Sequence, residues 1–155
     1  MTKILFICHG NICRSPMAEF VMRNLVRQAG LEEEILVDSA AATDEEIGRP
    51  VYPPAAKELM RHGLSCAGKT ARRMRREDYD RYDLLIGMDG ENLSDMKRCF
   101  RKTEKLRLLM DYTDCCRDVA DPWYTGDFSQ TYADVLEGCS GLLKQLTGKM
   151  GRRLR

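Results

Sequence analysis

Two short stretches, far apart in the chain, carry the residue types that can do chemistry together. The first is Cys8-His9-Gly10-Asn11-Ile12-Cys13-Arg14-Ser15-Pro16. A thiol, five residues, then a guanidinium and a hydroxyl can seat a phosphate on backbone N–H groups and attack it with sulfur. The apolar run Lys3-Ile4-Leu5-Phe6-Ile7 before it reads as a buried strand. Ser15-Pro16-Met17-Ala18-Glu19 reads as a helix start, with Ser15 as N-cap and Pro16 at the first helical position. The loop between them holds one glycine, so His9, Gly10, Asn11, Ile12 and Cys13 can turn successive amides inward around an anion. A phosphate dianion at a helix N-terminus meets orphan donors and the positive end of the macrodipole. Arg14 can bind two phosphate oxygens with its planar fork. Cys8 lies in the same positive field, which favours thiolate, the nucleophilic form. Ser15 can donate a hydrogen bond to that thiolate and help it leave in a second step. An isolated cysteine at a strand end is ordinarily a small buried hydrophobe. It is the Arg-Ser spacing and the strand-to-helix setting that favour chemistry here.

The second stretch is Asp121-Pro122-Trp123-Tyr124. An ester oxygen leaving phosphorus gains from a proton donor, typically about 10²–10⁴-fold, and Asp121 is the best candidate. Pro122 biases Asp121 toward extended backbone. Trp123 and Tyr124 can wall a slot for an aromatic ring, and by lowering local polarity they can help hold Asp121 protonated. Taken alone, Asp-Pro is a turn and its aromatics are core caps; the loop at Cys8 gives the stretch its meaning.

The elements that must bring these stretches together alternate. Strands are expected at about 3–8, 35–37, 84–88 and 106–109. Helices are expected at about 16–29, 55–62, 90–100 and 131–146, with a short turn at 77–79. The segments 38–54 and 111–126 read as loops. Alternation of this kind predicts an α/β fold of three layers, a four-stranded parallel sheet with helices on both faces. Ligands in such sheets bind at the carboxyl ends of strands, where Cys8 falls.

A chain of 155 residues fits one domain over 1–155. At this size roughly 70% of the unfolded surface is buried, enough for a core without staples. Lys plus Arg is 25 against 24 Asp plus Glu, so nothing in the balance points to nucleic acid or to a membrane surface. The basic clusters Arg72, Arg73, Arg75, Arg76 and 149–155 read as solvated faces, with attraction of an anionic substrate as the alternative. Seven irregularly spaced cysteines do not form a disulfide framework, and with two histidines there is no zinc pattern. Cys99, Cys115, Cys116 and Cys139 read as packing residues. The N-terminal apolar run is too short for a signal segment, and no stretch approaches the ~20 apolar residues of a membrane span. The expectation is a cytoplasmic, reduced protein without cofactor or metal.

With both motifs in view, the chain resembles the low-molecular-weight protein tyrosine phosphatases from about Lys3 to Gly148. It carries their N-terminal Cys-x5-Arg-Ser loop and their late Asp-Pro-aromatic-aromatic loop in the same order. The resemblance implies a Rossmann-like fold and a two-step reaction through a cysteinyl-phosphate, independent of metal. By position it implies Cys8 as nucleophile, Arg14 as phosphate clamp, Asp121 as general acid and then base, and Ser15 as the residue easing thiolate departure. It further implies Asn11 as a strained loop asparagine, Ser39 as its support after the second strand, Asp89 as support near the site, and Trp123 and Tyr124 as walls. Cys13 matches a second loop cysteine that in relatives pairs with the nucleophile under oxidation. The alternative for Cys13 is simple packing.

Glu45 stands where animal relatives usually carry a rim tryptophan, so the rim would not stack on a substrate ring and would disfavour acidic phosphopeptides. Gly68 lies near where some relatives place a loop-supporting histidine. Thioredoxin-coupled arsenate reductases, similar in fold, need two cysteines just after the third strand, and none stands there before Cys99. Arginine phosphatases carry threonine before the second loop cysteine; Ile12 here suits a phenyl ring better. A phosphate-binding module without chemistry would be expected to lack Cys8 or Asp121. The resemblance implies a phosphotyrosine protein substrate, with a bacterial tyrosine kinase, a host protein and a small phosphate ester as candidates. It implies a monomer, associating weakly at most.

Overall fold

Thr2–Cys8 (β1) is the centre of the molecule because both of its faces are apolar. In the computed structural model, which describes residues 1–115 and 117–153, the last five by backbone alone, β1 is flanked on both sides. Ile35–Ala41 (β2), Leu84–Gly87 (β3) and Leu106–Leu108 (β4) complete a four-stranded sheet in the order β2-β1-β3-β4, every pair parallel. Side chains alternate across it. Ile4, Phe6 and Cys8 pack with Val37, Ile86 and Met88 on one face; Leu5 and Ile7 pack with Ala40 and Leu85 on the other. The first face is covered by Arg14–Gln28 (α1), Pro53–Arg61 (α2) and Phe128–Arg153 (α6), which supply Met17, Val21, Leu59, Val135 and Leu142. The second is covered by Asp78–Arg81 (α3) and Gly90–Phe100 (α4), through Tyr79, Met96 and Phe100. The three-layer α/β architecture is the one the alternation predicts.

Element bounds depart from expectation where tertiary pairing overrides local signals. β2 does not stop at Val37: Asp38 to Ala41 continue it because β1 pairs with it in register to Cys8↔Ala41. Ser39 is therefore a strand residue, not a loop residue. α1 begins at Arg14, with Cys13 at the cap position and no side-chain cap. Ser15 is inside the first turn instead of capping it. Pro16 is tolerated there because first-turn N–H groups have no helical partner anyway. The 111–126 segment is mostly loop, with a 3₁₀ turn at Leu109–Tyr112 and a short helix at Pro122–Thr125 (α5). α6 starts three residues earlier than expected, at Phe128; Asp127 Oδ1 accepts from the Gln130 N–H at 2.9 Å. Cys139 is buried in the core as expected, and Cys99 and Cys115 are half-buried. Cys116 and the side chains of the basic stretch 149–155 lie outside the described residues. Among the described residues no helix is long and apolar enough to cross a membrane.

Two glycines in α6 let the 3₁₀ turn sit directly on the helix. A Cβ at Gly138 would stand 2.5 Å from Leu109 Cγ, and one at Gly141 only 2.0 Å from the Tyr112 carbonyl oxygen. That contact anchors the start of the segment leading to Asp121. Gly141→Ala should destabilise the protein by about 1–3 kcal/mol although alanine is the better helix former. Gly148→Ala, with nothing within 4 Å, should be neutral or stabilising by up to ~1 kcal/mol. Urea midpoints of the two variants check this; equal midpoints would refute the close approach.

Candidate active site

The chain from Cys8 to Arg14 forms a loop four of whose carbonyls are bonded by backbone N–H groups outside it. Cys8 O accepts from Ala42 N (2.9 Å), His9 O from Thr43 N (3.2 Å), Ile12 O from Tyr52 N (2.8 Å) and Cys13 O from Met17 N (3.1 Å). Among the described residues, no N–H of residues 9–14 has a protein acceptor. Backbone donors left in this way converge on a ligand or cost free energy. Asn11 makes the turn possible. It takes a left-handed backbone at φ 59°, which asparagine tolerates better than most residues.

Cys8 lies at the bottom of the loop, 3% exposed. Its sulfur is 3.0 Å from Ser15 Oγ and accepts from the Ser15 N–H at 3.3 Å. Arg14 is buried behind it. Its Nη1 donates to Asp89 Oδ2 (2.7 Å) and to the Val119 carbonyl (2.8 Å). Burial works against the guanidinium's charge, but Cys8, Asp89 and Asp121 more than offset it and hold its pKa above the usual value. Asp89 also caps α4, accepting from Asn92 N at 2.8 Å. One carboxylate thus ties the guanidinium to a helix start at the end of β3.

Asp121 comes to the same place from the other end of the chain. Its Oδ1 accepts from Trp123 N (3.0 Å), and its Oδ2 is 3.5 Å from Arg14 Nη2. The root of its loop is fixed by Val119, whose N–H donates to the Met88 carbonyl at 3.0 Å while its own carbonyl receives Arg14. The expectation that Trp123 and Tyr124 dry Asp121 does not hold in this structure: they are 56% and 86% exposed and stand at the mouth of the cleft. Asp121 faces Arg14 and a backbone N–H instead of an apolar wall.

Of the expected catalytic and substrate-binding residues, all but Asn11 and Ser15 border this cleft: Cys8, His9, Gly10, Ile12, Cys13, Arg14, Glu45, Trp123 and Tyr124, with Asp121. Asn11 is behind the loop. Its Nδ2 donates to Ser15 Oγ (2.8 Å) and Ser39 Oγ (2.9 Å), so Ser39 does support it. Glu45 stands at the rim, 2.8 Å from His9 Nε2. Gly68 supplies no support; the neighbouring Lys69 does, with Nζ 3.1 Å from the Ser39 carbonyl. The Arg72–Arg76 cluster is not a plain solvated face either. The Arg72 N–H donates to Asn11 Oδ1 (3.3 Å), and the side chains of Arg72 and Arg73 pair with Asp78 and Asp44.

Sequence reasoning missed four residues here. Glu19 is buried under Ser39, and Lys69 joins it. Glu46 packs under Gly10, whose Cβ would meet Glu46 Cγ at 3.0 Å. The Tyr52 ring is 5.0 Å from Trp123 and 6.0 Å from Phe128. A glutamate one turn into an otherwise apolar helix face was the one legible signal; the other three depend on loop paths. Among the described residues no cluster of three His, Cys, Asp or Glu could hold a metal ion.

Comparison with known proteins gives one consistent answer. The family model for low molecular weight phosphotyrosine protein phosphatase matches residues 3–152. The low molecular weight protein-tyrosine-phosphatase YfkJ of Bacillus subtilis (strain 168) is 39% identical over 150 residues, covering 94% of this chain and 96% of its own. The low molecular weight phosphotyrosine protein phosphatase of Homo sapiens is 35% identical, covering 92% and 94%. The crystal structure of YfkJ superposes with a TM-score of 0.93 at 38% identity, over 96% of each chain.

Cys13 has a distinct electrostatic position in this loop. Burial, and then the charges of Cys8 and Asp121, push its thiol pKa well above the ordinary range. Folding therefore favours the protonated thiol, a stabilisation intact below the ordinary thiol range and lost as pH rises through and above it. Cys13 should resist iodoacetamide at neutral pH and react only in strongly alkaline solution. Peptide mapping that finds Cys13 alkylated at pH 7 in the folded protein would contradict this.

Proposed function

The chain belongs to the low molecular weight phosphotyrosine protein phosphatase family, and from that premise we propose that it hydrolyses phosphotyrosine through a cysteinyl-phosphate on Cys8. As a member it is a phosphoric monoester hydrolase. The observation that carries the finer reading is the row of N–H groups over residues 9–14 without a protein acceptor, in the loop that borders one cleft with Cys8 and a buried Arg14. Donors aimed at one point stabilise the charge that develops on a transferring phosphoryl group.

In the first step the Cys8 thiolate attacks phosphorus and the bond to the aryl oxygen breaks. Arg14 and the loop amides take the three equatorial oxygens, so the phosphoryl charge is met without a metal ion. A dianion bound at Arg14 also brings negative charge beside Asp121, which favours its protonated form, and Asp121 passes that proton to the leaving oxygen. In the second step the Asp121 carboxylate takes a proton from water. The water attacks phosphorus, the S–P bond breaks, and inorganic phosphate leaves. The Ser15 hydroxyl, 3.0 Å from the sulfur, donates to the thiolate as it departs.

Ile12, Trp123 and Tyr124 line the cleft where a phenyl ring would lie, which supports phosphotyrosine over phosphoarginine. Glu45 at the rim supports substrates without acidic residues beside the phosphotyrosine. Cys13 serves as a resolving thiol for oxidised Cys8, slow at neutral pH because its own thiol stays protonated. A phosphotyrosine protein, with a bacterial tyrosine kinase as one candidate, is the partner proposed for this site.

Hydrolysis of p-nitrophenyl phosphate tests the mechanism, with phosphotyrosine and phosphoarginine peptides in parallel. Cys8→Ser should be inactive. Asp121→Ala should lower kcat by about 10²-fold or more, and phosphotyrosine should be the preferred peptide. A wild type that binds phosphate and turns over none of these would overturn the reading.

A further inference from the structure

Asp134 is a buried carboxylate that the mechanism above does not use. It is 3% exposed and lies on α6, on the side that packs toward the core at Val135. Its Oδ1 accepts from Arg117 Nη2 at 2.5 Å and from Gln130 Nε2 at 2.9 Å. Among the described residues Arg117 is its one cationic partner. Burying a carboxylate is costly unless it is paired and hydrogen-bonded, and the best-attested return on such a cost is a fixed register between two segments. Arg117 comes from the segment that leads to Asp121, four residues ahead of it.

The stem 117–120 is gripped from two sides. On the sheet side, the Asp118 carboxylate accepts from the Gly90 N–H (3.4 Å), and Val119 bonds the Met88 carbonyl (3.0 Å) and Arg14 (2.8 Å). On the α6 side, Thr131 and Asp134 are three residues apart and share a face of the helix. Thr131 Oγ1 is 3.5 Å from the Ala120 carbonyl but 3.2 Å from the Asp127 carbonyl of its own helix, so its hold on the stem is the weaker of its two bonds. The strong tie to α6 is therefore the charged one, Arg117 to Asp134. A stem fixed only around Val119 can still swing; a second attachment two residues earlier, to a different element, removes that freedom. Asp121 follows two residues after Val119.

We propose that the Arg117–Asp134 ion pair is a positioning element for the general acid, holding the stem 117–120 on α6 so that the Asp121 carboxyl stays within reach of the leaving oxygen. Neither residue borders the cleft; both act through Asp121. The inference rests on the reading of Asp121 as general acid, and the Asp121→Ala variant tests that reading separately.

The experiment measures kcat/KM on phenyl phosphate and on p-nitrophenyl phosphate for Arg117→Met, Arg117→Lys and Asp134→Ala, alone and on an Asp121→Ala background, with inhibition by inorganic phosphate alongside. p-Nitrophenolate leaves readily as an anion, whereas a phenol of ordinary pKa, about 10, needs the proton. A misplacement on the order of 1 Å can cost about 100-fold. Arg117→Met and Asp134→Ala should lower kcat/KM on phenyl phosphate by about 10-fold or more, and on p-nitrophenyl phosphate by about threefold or less. Arg117→Lys, which keeps a cation for Asp134, should retain most of the rate. Inorganic phosphate should inhibit every variant within about twofold of wild type, because Arg14 and the Cys8 loop keep their donors. On the Asp121→Ala background the same substitutions should cost almost nothing more. Equal losses on the two esters overturn the proposal, and so does the same loss with and without the Asp121 carboxyl. If Arg117→Met does not fold because it strands a buried carboxylate, Asp134→Ala decides, since it leaves no buried charge and lets Arg117 turn to water. An Asp121→Ala variant that hydrolyses both esters as wild type does removes the general acid, and this inference with it. An Asp121→Ala variant that loses phenyl phosphate hydrolysis, beside a folded Asp134→Ala that keeps it, overturns this inference alone.

Discussion

A loop whose six successive N–H groups find no acceptor among the described residues must be held through its other groups. Unpartnered buried donors are unfavourable, and Asn11 at φ 59° adds a cost on the order of 1–3 kcal/mol. The surroundings offset this with the loop's carbonyls. The end of β2 binds Cys8 O through Ala42 and His9 O through Thr43, while the start of α2 binds Ile12 O through Tyr52. The extension of β2 past Val37, set by its pairing with β1, and the start of α2 both meet this requirement. So does the burial of Glu19, Ser39 and Asn11, polar groups that would otherwise weaken a core of this size.

The site has a fixed half and an open half. The Cys8–Arg14 loop is held through its carbonyls, and Arg14 is buried and bonded to Asp89 and Val119. The Asp121 loop is tied at its root by Val119 and by the 3₁₀ turn on α6, but its tip carries Trp123 and Tyr124 out into solvent. Tyr52 joins the halves: its N–H holds the phosphate loop and its ring backs Trp123. Chemistry at phosphorus needs rigid donors, whereas a protein substrate must get its side chain in and out.

The sheet and its order of elements were legible because β1 is apolar on both faces and the first two helices stop at Gly30 and Gly63. Bounds failed where a contact distant in sequence decides them. Asp38 and Ser39 look like a turn, yet β1 holds them in the sheet. Gly138 and Gly141 look like breaks in a helix, yet they are the surface on which Leu109 and Tyr112 rest. In the site, Cys8, Arg14, Ser15 and Asp121 stand out in the sequence by type and spacing, and the fold brings Cys8 to Ser15 and Arg14 to Asp121. Of the two roles the sequence suggests for Ser15, the cap is absent, and the hydroxyl lies against the sulfur and Asn11. Lys69 was hidden because nothing local marks a lysine that reaches a buried carboxylate on another element. The missing support at Gly68 pointed to the right neighbourhood and the wrong residue.

Arg14 shows why the clamp is arginine. Its Nη1 is spent on structure, held by Asp89 and the Val119 carbonyl, and these two bonds aim the plane of the guanidinium. Nη2 is left toward the cleft with only the Asp121 carboxylate at 3.5 Å. A phosphate can take that edge without disturbing the bonds on the other. A lysine has one nitrogen and cannot serve both directions at once; it would either keep Asp89 or meet the phosphate. The same geometry makes Asp121 the movable partner. In the proposed reaction, a phosphate on that edge displaces the 3.5 Å contact and leaves Asp121 beside the leaving oxygen.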